Sequence, residues 1–142
     1  MKLSSLGLIL LGSTGLSGVY AGFHIGRVTT TVGIYRNHIA CPSSKYNCDC
    51  FKGQDGLTGT VKLPKKDKME DFFQITTPNW CGRVNMPTLD FYKRADGHWD
   101  FYRNKGDGTR VGTCYANSDS KTCIPGGIHY GDKLACYTDL CN

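Results

Sequence analysis

Four histidines, His24, His38, His98 and His129, and a single glutamate, Glu70, are the side chains through which this chain could move a proton near neutral pH. An extracellular ribonuclease needs a general base, a general acid and a cation beside the phosphate. His24 or His38, Glu70, Arg83 or Arg94, and His129 supply those types, but no local motif ties them together. Nucleophile chemistry has less to work with, because G-x-S-x-G is absent and cysteines in an oxidising compartment offer no thiolate. Asp90 and Asp100 are the carboxylate pair a glycosidase would use, yet a hairpin places basic residues opposite them. The segments DGHWD and KGDGT lack the full pattern of a calcium loop, and the phosphate-cradling P-loop is missing. The sequence therefore assigns no catalytic residue, cofactor or metal, and non-catalytic binding is the expectation.

The cysteines carry more information. Cys41, Cys48, Cys50, Cys81, Cys114, Cys123, Cys136 and Cys141 are even in number and lie behind a leader. Zinc spacing is absent, so four disulfides are expected. A one-residue spacer strains a bridge, so Cys48 and Cys50 are expected to reach different distant partners. Cys114 and Cys123 are placed to staple the polar loop at 117–121.

Residues 89–104, LDFYKRADGHWDFYRN, repeat DFY about Asp96-Gly97, a hairpin signature. A two-residue turn there sets Lys93 opposite Asp100, Asp90 opposite Arg103, Tyr92 opposite Phe101 and Phe91 opposite Tyr102. In that register Tyr92, Arg94, Trp99, Phe101 and Arg103 share one face. Aromatic and arginine side chains are enriched at interface hot spots, so these five are the candidate binding residues.

Other elements must hold that hairpin in place. Period-two alternation predicts strands at 28–35 and 57–63. Pro64, Met69, Phe72 and Phe73 predict one short helix over 65–73. Further strands fall at 74–77, 109–115, 128–130 and 134–138. Residues 22–142 hold five Leu, four Ala and one Glu against twelve Thr and fourteen Gly, a poor composition for helix. The fold class is mainly β: a compact antiparallel sandwich or barrel, stapled by disulfides, in one domain.

Residues 1–21, MKLSSLGLILLGSTGLSGVYA, have a short basic start, a broken apolar run and small residues at Val19 and Ala21. That pattern reads as a secretory signal, too short and Gly/Ser-rich for a stable membrane span. With the leader removed, sixteen basic and twelve acidic residues give a net charge of +4. Both signs are interspersed, so a solvated mixed surface is expected, with no nucleic-acid partner.

In leader, cysteine framework from Cys41 to Cys141 and β pattern, the chain resembles fungal small secreted cysteine-rich effectors and elicitors of plant pathogens. That resemblance implies a monomer secreted into the host apoplast. It further implies a host protein or cell-surface component as partner, and interference with defence or the triggering of cell death. It assigns no functional residue. The competing expectations are a secreted ribonuclease-like hydrolase and a toxin or antimicrobial protein acting on microbes or membranes.

Overall fold

A computed structural model describes residues 21–32, 36–66, 68–78, 80 and 88–140. Nine strands are present among them: β1 (Ala21–Thr30), β2 (Arg36–Pro42), β3 (Gly59–Lys62), β4 (Phe72–Thr76), β5 (Leu89–Lys93), β6 (Trp99–Arg103), β7 (Arg110–Ala116), β8 (Ser120–Cys123) and β9 (Ile128–Thr138). Every pairing is antiparallel, in the order β1-β2-β3-β4-β5-β6-β7-β9-β8, and β1 also pairs with β9. β7 and β8 bond to successive stretches of β9. They act as one interrupted strand, and the sheet closes as an eight-stranded up-and-down barrel. Closure through β1 and β9 removes most of the exposed edges that invite aggregation, while β8 pairs on one side only, with β9.

The barrel is filled rather than hollow. Phe73 stacks on Phe91 at 4.5 Å, Phe91 on Phe101 at 4.8 Å, and Phe23 meets Phe101 from across the barrel at 5.4 Å. Trp80 adds its ring to Phe23 at 5.0 Å. An eight-stranded barrel has about the width its own side chains can fill, and these rings fill it. Each fully buried ring contributes on the order of 2–3 kcal/mol of transfer free energy.

A second apolar cluster lies on the outside of the wall. β2 sends Ala40 to the barrel interior, whereas Ile39 and Cys41 join Val28, Tyr130, Phe51, Cys50 and Cys123 in a separate cluster. The cover is the segment after β2, a 3-10 turn (Ser43–Lys45) followed by the one-turn helix α1 (Cys48–Phe51). Four residues cannot hold a helix in water alone. Asn47 caps α1 through its side-chain oxygen, which accepts from the Asp49 and Cys50 amides. Cys41–Cys50 and Cys48–Cys123 tie the segment to β2 and β8, and Phe51 stacks on Tyr130 at 4.2 Å.

Several expectations are corrected. Residues 65–73 do not form the expected helix: Phe72 and Phe73 belong to β4, and Phe73 is wholly buried between β3 and β5. The short helix falls in the cysteine loop instead. Cys114 bonds to Cys136, not Cys123, because the two face each other across β7 and β9. Of the pair Cys48 and Cys50, only Cys48 reaches far along the chain, 75 residues against nine. Residues 128–138 form one continuous strand, not two. His24 sits in β1 between β2 and β9. Three disulfides join the six described cysteines; Cys81 and Cys141, residues 1–20 of the expected leader 1–21 and part of the strand expected at 28–35 lie outside the described residues.

Candidate functional site

The β5–β6 hairpin forms at Asp96-Gly97, but one residue out of the expected register. Leu89 pairs with Arg103, Phe91 with Phe101, Tyr92 with Asp100 and Lys93 with Trp99. The Arg94 amide donates to the His98 carbonyl, the Gly97 amide donates to the Arg94 carbonyl, and Gly97 has φ +93. This is a three-residue loop that closes with a left-handed glycine, not a two-residue turn. A one-residue slip changes which side chains oppose each other and splits the candidate set. Trp99, 4% exposed, and Phe101, fully buried, face the core and cannot be displayed. Tyr92, Arg94 and Arg103 are exposed.

Outward residues of β6 and its neighbours build a polar centre. Asp100 points out of the barrel yet is 2% exposed, because its neighbours cover it. Arg94 donates to it at 2.7 Å and Thr113 at 3.1 Å, while Arg110 lies at 3.6 Å. Burial pushes the Asp100 carboxyl up, but these hydrogen bonds and charges outweigh it and hold the group below the usual carboxylate range. Both guanidiniums stay half-exposed. They are thus fixed by a buried anion and still open to a partner.

Aromatic side chains flank this centre. On one side Phe72, Tyr92 and Tyr102 form a chain across β4, β5 and β6, with ring separations of 5.1 and 5.9 Å. On the other, His98 lies 5.6 Å from Tyr115, which lies 6.2 Å from Tyr137 on β9. The result is a belt of aromatic rings and arginines around the outside of the barrel. Sequence reading missed Tyr115 and Tyr137. The signal was their position: each directly follows a core-facing cysteine, so alternation turns each outward.

Two open clefts adjoin the belt. One, of about 380 Å³, is lined by Arg110, Thr113, Tyr115, Tyr137 and Asp139 among others. The other, of about 540 Å³, shares Arg110 and Asp139 and adds Arg103, Asp107 and Thr109. Backbone and side-chain hydrogen bonds from Thr109 hold the Asp107 carboxyl below its usual range.

Among the described acid–base candidates, His24, Glu70 and His129 each have a separate partner. His24 donates from Nδ1 to the inaccessible carboxylate of Asp132 at 2.6 Å, and its ring stacks on Tyr46 at 4.1 Å. Tyr130 and Asn117 also donate to Asp132. Burial, then the Asp132 charge, pushes the Tyr46 and Tyr130 hydroxyls well above their ordinary range. Glu70 pairs instead with Lys65, and His129 contacts Thr122. His38 is buried on β2, and Arg83 lies outside the described residues. Asp90 accepts from Gln74 and Asn104 rather than from Arg103. Among the described residues no group of three or more His, Cys, Asp or Glu is placed to hold a metal ion.

Together, fold and surface define a disulfide-stapled, eight-stranded antiparallel barrel with a filled interior and an outward tyrosine–arginine belt. No family model, curated protein or solved structure matches the chain.

Proposed function

We propose that this protein is a secreted, non-catalytic effector or elicitor. It binds a host macromolecule, a plant protein or cell-surface component, and modulates or triggers defence, including cell death. The observation that carries the reading is the belt. Arg94 and Arg110 are pinned by buried Asp100, between Tyr92 and Tyr102 on one side and Tyr115 and Tyr137 on the other. A surface fixed this way loses little conformational entropy on binding. The disulfides are compatible with an extracellular location. Among the described residues no helix is long and apolar enough to cross a membrane.

The test is infiltration of purified oxidised protein into leaves beside a reduced, alkylated control, together with gene deletion in the producing organism. The expected result is a defence response to the oxidised form alone and reduced virulence of the deletion strain. No response in any host, with unchanged virulence, contradicts the proposal.

A hydrolase reading has one observation on its side. Asp132 orients His24 as a carboxylate orients a catalytic histidine. RNA hydrolysis by the purified protein, abolished in His24→Gln, would favour that reading.

A further inference from the structure

Cys114 and Cys136 sit directly opposite each other on β7 and β9, Cα atoms 4.0 Å apart, both buried in the barrel core. Side chains alternate along a strand, so Tyr115 and Tyr137 emerge on the outer face just behind that bridge. Their ring centroids are 6.2 Å apart, and they are 51% and 54% exposed. The β7–β9 ladder and the disulfide across it together fix the placement of the two strands that carry these rings.

The clefts of about 380 and 540 Å³ adjoin along Arg110, Val111 and Asp139, side by side as a trough. Its walls carry two arginines, Arg103 and Arg110, and two aspartates, Asp107 and Asp139, so formal charges cancel. Thr109 and Thr113 add hydroxyls. Arg110 is oriented from behind by Asp100 at 3.6 Å.

This chemistry selects among ligand classes. A polyanion gains little from a trough whose cations are matched by carboxylates. An extended peptide cannot add as a strand, because β7 lies between β6 and β9, and β9 continues the wall to β1. A wholly apolar ligand would leave the arginines and aspartates unpaired. A sugar ring fits each feature: a C–H face to lie on tyrosine, and hydroxyls to accept from arginine and donate to aspartate.

Resting on the reading above that the outer belt is a binding surface, we propose that the Tyr115–Tyr137 trough binds a neutral oligosaccharide chain. The host macromolecule is then a glycan or a surface component that carries one. The two rings stack on successive sugars, while Arg110, Thr113 and Asp139 hold hydroxyls.

The experiment is calorimetric titration of the full oxidised protein with cellohexaose, xylohexaose, laminarihexaose, chitohexaose and polygalacturonate, at low and high salt. At least one neutral hexasaccharide is expected to bind, with little change in affinity on adding salt. Tyr115→Ala and Tyr137→Ala should each weaken binding about tenfold or more, roughly the loss of one stacking contact. Val32→Ser, on the exposed β1–β2 turn, should leave it unchanged. Matched thermal unfolding of the variants excludes misfolding as the cause. Failure of every neutral hexasaccharide overturns the inference, as does binding of polygalacturonate alone that salt abolishes, or binding indifferent to both tyrosine substitutions. If the glycans fail while leaf infiltration still triggers defence through the belt, the glycan is excluded and the effector reading stands.

Discussion

Asp100 shows how the outer face of a strand can hold a charge away from water. Its carboxyl stays below the ordinary range because Arg94, Thr113 and Arg110 outweigh the cost of burial. A group whose folded value is depressed stabilises the fold above its unfolded value, ~3.9 for aspartate. That stabilisation is lost as pH falls through the lower folded value. Asp100→Asn should therefore lower the urea midpoint at neutral pH. The gap to the natural protein should shrink as acid titrates the carboxylate, and a gap that stays constant into strong acid would contradict this assignment. Gly26 makes a second residue-scale prediction. A Cβ there would lie 2.4 Å from the Tyr130 ring and 2.6 Å from the Gly131 carbonyl oxygen. Backbone cannot give way cheaply, so Gly26→Ala should cost about 1–3 kcal/mol in denaturant unfolding. The cysteine count and the alternation in β5 and β6 were legible at this scale. The outward turn of Tyr115 and Tyr137 follows from the same alternation once the partner of Cys114 is known. The spacing of the sequence does not name that partner.

Among the elements, the hairpin was legible as a hairpin but not as a register. Asp-Gly serves a two-residue turn and the last step of a three-residue loop equally well, since both need a left-handed glycine. That single residue decides whether Phe101 sits opposite Tyr92, as expected, or opposite Phe91, as observed, and with it which charges meet. The segment 65–73 carries a helical stripe, but a helix that short is marginal without packing, and at Phe72 and Phe73 pairing with β5 wins. α1 shows the converse: its cap and two disulfides hold a helix that its length alone would not. The two bridges to this segment should differ in weight. In the chain-entropy account, Cys48–Cys123, spanning 75 residues, contributes roughly 4–5 kcal/mol, and Cys41–Cys50, spanning nine, roughly 2–3 kcal/mol. Thermal unfolding of the two paired Cys→Ala variants checks the order. Equal losses would mean that local packing around Phe51 and Tyr130, rather than chain entropy, sets the cost.

At the scale of the whole molecule, composition and cysteine content led to a stapled β domain, and a sandwich or a barrel satisfied them equally. Pairing of β1 with β9 makes it a barrel, and that long-range closure leaves no local mark in the sequence. The packed rings of Phe23, Phe73, Phe91 and Phe101 then move any binding to the outside. The central claim is that the outer belt, held still by the barrel, performs the function. The most direct measurement is leaf infiltration with the natural protein and a variant carrying Tyr92→Ala, Arg94→Ala, Tyr115→Ala and Tyr137→Ala, with matched circular dichroism and thermal unfolding. Loss of the cell-death or defence response in the folded belt variant is the predicted result. A full response from that variant would contradict the account.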